Sequence, residues 1–339
     1  MIIGTNAENG CYNILVKRGA IDDDGAFSAF AKNEKTLIVT DDGVPEDYIR
    51  RISAHFKDPV LIALPQGEKS KNTENYLFLL RTMLHGGFTR HDGVVAAGGG
   101  MVGDLAGFAA ATYMRGIAFY NVPTTFLAQA DASVGGKTAI DLDGVKNAAG
   151  VFYPPRGVII DPNVLSTLSP RQLHAGIAEA IKTAVIGDKE LFALLEDEAS
   201  FEKNAEEIII RSLRFKISVT ERDPKEKGLR KVLNFGHTIG HAIESEKHGE
   251  LLHGECVSLG MLPFASPKII SRLKNLLQKY DLPVRASFSP QKIADFIRKD
   301  KKAEGNNDLI DVVYADDIGK YSFRTKSVPE ILELCEVIL

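Results

Sequence analysis

Four of the eight histidines in this 339-residue chain, His237, His241, His248 and His253, fall in one short stretch between Arg230 and Val257. Glu244, Glu250 and Glu255 are interleaved with them, and Asn234 lies just upstream. Neutral imidazoles beside carboxylates are what a Zn²⁺-like ion uses, and a catalytic site leaves one coordination position open. His237 and His241 are four apart and share a face if helical, so spacing alone pairs them as ligands. His253 follows after a Gly-marked loop. The competing reading is two hydrogen-bonded helix histidines beside a surface one. Upstream, Ala178-Glu179-Ala-Ile-Lys182 places Glu179 and Lys182 on one helical face among apolar neighbours. A carboxylate in such company needs a cation, which makes Glu179 a candidate third ligand. An ordinary helix salt bridge is the alternative.

A second set of residues suits a nucleotide. Gly98-x-Gly100-x-x-Gly103 follows a strand-like Val94–Ala97 and precedes a small-residue helix over 105–113. Glycines there let the backbone approach a pyrophosphate, and the helix start offers free N–H groups. No acidic residue stands about 20 positions later to hold a ribose. Asp41, at the end of an earlier strand, and the loop carrying Glu68 are substitutes for it. A tight structural turn is the alternative.

The cations form a third set. Lys137 and Lys146 sit among Gly, Ser and Thr at element ends rather than on a charged helix face. Lys182, Lys216, Arg230 and Lys301 or Lys302 join them, and Arg115 is a weaker member. One phosphate needs two or three donors, so this many in a chain of net charge −4 points to a small substrate with phosphate plus carboxylate.

These residues need positioning elements. Short apolar runs at 36–40, 60–64 and 94–97 alternate with helical segments, which predicts a parallel sheet covered by helices, with ligands at the strands' carboxyl ends. In the helix over 73–84 the expected buried stripe is Leu77, Leu80 and Leu84. A strand is expected within 113–125. Beyond Asp161-Pro162 helical spacing dominates. Ser169-Pro170 reads as an N-cap and first helical position. Further helices are expected at 200–222, 257–280 and from Ser289-Pro290, then a small hairpin from 308–314 and 320–323. The expected division is an α/β dinucleotide-binding domain at 1–163 and a mainly α-helical metal- and substrate-binding domain at 164–339.

Bulk properties narrow the class. Hydrophobic content of 44% and charged content of 25% are those of an ordinary globular protein. The charge balance gives no pull toward nucleic acid or acidic membranes, and no apolar run approaches the roughly 20 residues of a membrane span. No signal peptide is read at the N-terminus. Three widely spaced cysteines, Cys11, Cys256 and Cys335, argue against a disulfide framework and for a reducing, cytoplasmic setting.

Read together, GGGMVGDLAGFAAATYMRGI, VPTTFLAQADASVGGKTAI, the Lys146-Asn147 pair, AEAIK, LNFGHTIGHAIE and LLHGE resemble the 3-dehydroquinate synthase family of sugar phosphate cyclases, with order and spacing kept along nearly the whole chain. The resemblance implies a homodimeric enzyme using NAD and a divalent metal, Zn²⁺ or Co²⁺. It converts 3-deoxy-D-arabino-heptulosonate 7-phosphate to 3-dehydroquinate and phosphate. By the same resemblance the metal ligands are Glu179, His237 and His253, and His241 moves to the substrate phosphate. Asn147, Asn234, Lys137 and Lys302 (or Lys301) complete that pocket, and Arg115 reaches it from the partner subunit. Lys216 and Arg230 clamp the substrate carboxylate, and Asp131 and Lys182 face the ring hydroxyls. Asp41, Glu68, Lys71, Gly100, Asp104, Thr124, Thr125, Lys137, Lys146 and Thr167 match NAD positions.

The chain departs from the family pattern at 139–143, at Cys256 and at 264–267, without losing a site side chain. The alternatives are a sibling cyclase acting on another sugar phosphate and a metal-dependent NAD alcohol dehydrogenase. A substrate without a carboxylate gives the first no use for Lys216 and Arg230, and the second predicts net NADH.

Overall fold

The computed structural model describes residues 1–7, 10–30, 32, 34–198, 201–302 and 308–339, with the side chains of 300–302 outside that description. Two compact units emerge, Met1–Leu168 and Ser169–Leu339. The 3-10 turn Pro162–Thr167, capped by Asp161, stays with the first unit, so the division falls after Leu168 rather than after residue 163.

Among its described residues the first unit has nine strands: β1 (Ile2–Ala7), β2 (Gly10–Val16), β3 (Thr36–Asp41), β4 (Pro59–Leu64), β5 (Gly93–Gly98), β6 (Ala118–Pro123), β7 (Lys137–Leu142), β8 (Val145–Phe152) and β9 (Gly157–Ile160). Its helices are α1 (Asp24–Phe27), α2 (Glu46–Ser53), α3 (Thr73–His85) and α4 (Gly100–Thr112). Seven strands make one sheet in the order β1-β2-β9-β6-β5-β3-β4, parallel except for β1 against β2. β7 and β8 form a separate antiparallel ribbon. Alternate residues of β3 and β5 enter opposite cores. Leu37, Val39, Val94 and Ala96 pack with α3 and α4, whereas Ile38, Val95 and Ala97 pack with α1 and α2. Burial on both faces explains why these strands read as unbroken apolar runs. The hairpin of β1 and β2 escapes sequence reading because Gly4 and Asn6 interrupt its apolar pattern.

The α3 stripe is corrected. Leu77 and Leu84 are exposed, while Leu79 and Met83 are buried and Tyr76 and Leu80 pack against the same core. Tyr76, Leu79, Leu80 and Met83 follow the i, i+3, i+4, i+7 rule; leucines alone gave the wrong phase.

The second unit contains α5 (Pro170–Gly187), α6 (Lys189–Glu196), α7 (Phe201–Arg222), α8 (His237–Lys247), α9 (His253–Met261), α10 (Ile270–Lys279), α11 (Pro290–Lys302) and α12 (Val328–Leu334), with the antiparallel pair β10 (Leu309–Asp317) and β11 (Lys320–Ser327). The α5 cap is as read: Ser169 Oγ accepts from Gln172 N at 3.3 Å. The single helix expected over 257–280 is instead two helices separated by the 3-10 turn Leu262–Phe264. Pro263 and Pro267 lack the N–H a continuous helix needs, and Ser266 N bonds Ala315 O across to β10.

Close helix approach relies on Gly254 and Gly260. A Cβ on Gly254 would lie 1.7 Å from Ala175 O in α5, and one on Gly260 would lie 1.9 Å from Gly236 O at the start of α8. Backbone cannot yield as a side chain does, so Gly260→Ala is expected to destabilise by about 1–3 kcal/mol or more. Gly4→Ala, whose Cβ meets only a side chain at 3.8 Å, is expected to change stability by less than about 0.5 kcal/mol. Urea melts of the two variants check this.

Candidate active site

In the second unit Glu179 projects from the middle of α5, with 3% of its surface exposed. His237 is the first residue of α8, set there by Gly236 in the left-handed region (φ 78°). His253 is the first residue of α9. His237 Nε2 and His253 Nε2 lie 3.7 and 3.6 Å from the same atom, Glu179 Oε1. Tetrahedral ligands about 2.0–2.2 Å from an ion lie roughly 3.4 Å from one another, so the three atoms frame a space of that size. Among the described residues Oε1 has no hydrogen-bond partner although it is fully buried. A cation there would satisfy it.

The outer atoms fix the ring orientations. His237 Nδ1 meets Phe235 O at 3.1 Å and His253 Nδ1 meets Glu244 Oε2 at 3.1 Å. Both partners only accept, so each Nδ1 carries a proton; Nε2 of the neutral His237 presents its lone pair inward, and Nε2 of His253 does so once its own proton is lost. Lys182 Nζ lies 2.5 Å from Glu179 Oε2 and donates to Leu233 O at 2.8 Å. His241 stands one turn beyond His237, its ring 5.0 Å away. His237, His241 and His253 also bring ligand atoms within 4.8 Å of one another, so two triads share two histidines. Glu179 completes the better one: it is buried and anionic with an unsatisfied oxygen, whereas His241 is exposed.

Electrostatics agree. Burial would raise the Glu179 carboxyl, but Lys182 and the two histidines outweigh it and hold it well below the usual range. Burial, with Lys182 close by, keeps His237 neutral far below its ordinary value. Burial also opposes charge on His253, yet the Glu179 and Glu244 carboxylates prevail and lift it to about 9. In metal-free protein His253 is therefore protonated at neutral pH, and its contribution to stability, complete below about 6.5, fades as pH rises through about 9. A metal must displace that proton. Zn²⁺ affinity is expected to rise about tenfold per pH unit between 7 and 9, then level off. Calorimetry in buffers of different ionisation enthalpy is expected to find about one proton released at pH 7.

In the same unit, Lys216 on α7 and Arg230 on the 3-10 turn Leu229–Asn234 are both buried. Asp223 shapes the intervening loop by accepting from Lys227 N, Gly228 N and Arg230 N at 2.7–2.9 Å, and Arg230 Nη1 donates to Pro224 O at 2.7 Å. Asn234 Nδ2 donates to Glu226 Oε1 at 2.8 Å. The Lys301 and Lys302 side chains lie outside the described residues.

In the first unit the chain steps from β3 outward to β4 and returns to β5 on the other side of β3, a topological switch point where α/β sheets bind ligands. Asp41 ends β3 and Gly98 ends β5. α4 starts at Gly100 rather than near 105, so the glycines form its N-terminus. Asp41 is buried, which raises its carboxyl pKa, and accepts from Gly43 N at 2.9 Å. Asp41 through Glu46 line a cleft of about 340 Å³ with Leu61 and Ala63. Lys71 Nζ gathers Asp104 Oδ2 at 2.7 Å, Glu68 Oε1 at 3.3 Å and Asn147 Oδ1 at 2.5 Å. Thr124 N bonds Gly98 O, and Thr125 Oγ1 accepts from Ala128 N. Asp131 lies in the π-turn Ala128–Ala132. Lys137 begins β7, and Lys146 and Asn147 are exposed on β8. Arg115 adopts φ 68° after Met114. Thr167 closes on its own turn through Val164 O. The structure thus gathers Glu68, Lys71, Asp104 and Asn147, and separately Glu179, Lys182, His237, His241 and His253.

Sequence reading named Glu244 and Glu255 only as carboxylates among the histidines, without their supporting roles, and missed Asp223 and Arg171. Glu244 had a signal: His237, His241 and Glu244 are spaced i, i+4, i+7 on one helix face.

Profiles of the 3-dehydroquinate synthase N-terminal and C-terminal domains match residues 61–175 and 176–303. The chain belongs to the 3-dehydroquinate synthase family. It is 40% identical to the 3-dehydroquinate synthase of Enterococcus faecalis over 94% of each chain, and 40% identical to that of Clostridium acetobutylicum over 94% of this chain and 93% of that one. Among solved structures it resembles 2-deoxy-scyllo-inosose synthase complexed with carbaglucose-6-phosphate, NAD⁺ and Co²⁺ (26% identity, TM-score 0.89, all of both chains). It also resembles 2-epi-5-epi-valiolone synthase from Streptomyces hygroscopicus with NAD⁺ and Zn²⁺ bound (26%, TM-score 0.88, 96% of each chain). A glycerol dehydrogenase from Schizosaccharomyces pombe, at 17% identity and TM-score 0.65 over 96% of this chain and 88% of that one, shares the fold. No helix among the described residues is long and apolar enough to cross a membrane.

Loss of Glu244 support is expected to weaken metal binding before it affects the fold. Glu244→Gln is expected to raise the Zn²⁺ Kd about 10–100-fold, measured by competition with a chromophoric chelator.

Proposed function

We infer that the chain is a 3-dehydroquinate synthase, converting 3-deoxy-D-arabino-heptulosonate 7-phosphate to 3-dehydroquinate and phosphate. The observation that carries this over a sibling cyclase is its 40% identity to curated synthases across 94% of the chain, against 26% to the cyclases of other names. The buried cations Lys216 and Arg230 suit the carboxylate this substrate carries.

Glu179, His237 and His253 are assigned to a Zn²⁺ or Co²⁺ ion, and Asp41, Glu68, Lys71, Gly100, Asp104, Thr124, Thr125, Lys137, Lys146 and Thr167 to NAD. When bound, the metal supplies Lewis-acid polarisation of a substrate hydroxyl and NAD accepts and returns a hydride. The chain's own side chains bind and orient. Lys216 and Arg230 hold the carboxylate as a charge-assisted pair. Lys182 keeps Glu179 ionised and presents its ammonium beside the ligands. Asn234 and His241 donate to the substrate phosphate, which itself removes the proton whose loss expels it, so no protein base is required. Asp131, Lys137, Asn147, Arg115 and Lys302 are the remaining proposed substrate contacts. Positioning and charge stabilisation supply most of the rate.

A cytoplasmic homodimer fits this reading. The β7–β8 ribbon exposes Leu142, Val145, Val151 and Phe152, an apolar set that a second copy would cover. Light scattering at twice the 37.0 kDa chain mass checks it.

The purified chain, given the heptulosonate phosphate, NAD⁺ and Zn²⁺, is expected to release stoichiometric phosphate with no net NADH. Accumulating NADH would identify a dehydrogenase instead. Arg230→Ala is expected to raise KM at least about tenfold, since a charged hydrogen bond contributes roughly 1.5–3 kcal/mol; an unchanged KM contradicts the clamp.

A further inference from the structure

We propose that Arg171 and Glu255 act as a clamp that positions His253 for the metal, a role that rests on the metal assignment above. Arg171, Ala175 and Glu179 are spaced by four along α5 and so form one stripe. Each meets the first turn of α9. Glu179 Oε1 faces His253 Nε2 at 3.6 Å. Ala175 O takes up the space above Gly254, where a Cβ would sit 1.7 Å away. Arg171 grips Glu255 with a two-pronged pair, Nε to Oε1 at 2.7 Å and Nη2 to Oε2 at 2.8 Å, and Nη2 also donates to Glu250 O at 2.7 Å.

The clamp acts at the point where α9 is weakest. His253 is the first residue of α9, and helix starts carry unsatisfied N–H groups that fray. Glu255 answers one of them by accepting from Leu252 N at 2.7 Å, with its charge at the positive end of the helix. Arg171 then ties that cap to α5, the helix that carries Glu179. Glu244 sets the turn of the imidazole ring, whereas the clamp sets the backbone from which the ring projects. Ligand geometry must hold within about 0.5 Å for tight binding. A fork of two parallel bonds supplies that direction, and a lysine's single point charge does not.

The test titrates metal-free protein with Co²⁺, reading affinity and the visible spectrum, for wild type, R171M, R171K, E255Q, R171M/E255Q and H253A. R171M is expected to raise the Kd about 10–100-fold and alter the spectrum, while the metal-free Tm falls by no more than about 2–4 °C. R171K is expected to keep most of that loss, and the double variant to lose no more than R171M, because both changes break one link. Wild-type Co²⁺ affinity and spectrum in R171M, or losses that add, overturn the proposal. So does a metal-free R171M or R171K that is unfolded at 25 °C, which would make the pair structural. H253A separates the two readings: if it retains Co²⁺ with the wild-type spectrum, the metal assignment itself fails.

Discussion

Burying an ionised carboxylate costs several kcal/mol unless cations surround it, and the second unit is arranged to meet that demand at Glu179. Lys182 lies 2.5 Å from one carboxylate oxygen, and two imidazole Nε2 atoms face the other. Both carboxylate oxygens are enclosed, yet Oε1 finds no donor among the described residues. The same arrangement depresses the Glu179 pKa and keeps His237 neutral while leaving His253 proton-loaded. This polarity is what a divalent cation would complete. Much of the surrounding chain can be understood as support: Gly236 turns the chain into α8 at His237, and Gly254 and Gly260 let α9 approach its neighbours.

The first unit answers a different constraint. A parallel sheet buried on both faces has no side-chain room for polar chemistry within its strands, so function collects where the strands end. Asp41 and the 98–103 glycines meet this description on β3 and β5, on either side of the switch in strand order. Lys71 binds the ends of four segments together through Glu68, Asp104, Asn147 and its own carbonyl, which accepts from Asp141 N. Its burial would favour the neutral amine, but Asp104 and Glu68 outweigh this and raise its pKa.

The likeness to cyclases of other substrates at 26% identity and to dehydrogenases at 17% shows how little of the fold is dedicated to one reaction. Fold and function are separable. Here the distinction rests on the 40% relatives.

What the sequence by itself determined was periodic or local: the buried strands of the first unit, the Ser169 cap, the glycine-opened helix and the concentration of histidines. Each depends on neighbours within a few residues, through alternation, capping or backbone freedom. Periodicity also misled locally. The leucine stripe of α3 was out of phase because Tyr76 and Met83 carry the pattern, and the helix expected over 257–280 broke at two prolines. Tertiary structure supplied what helical spacing left open, namely which imidazoles lie beside Glu179. Helical spacing made His237 and His241 equals, since both lie on one face of α8. Only the crossing of α5 and α9 brings His253, from another helix, to within 3.6 Å of the buried oxygen, while His241 remains solvent-exposed. Spacing along one helix does not encode the distance between two, because that distance is set by how closely their backbones pack.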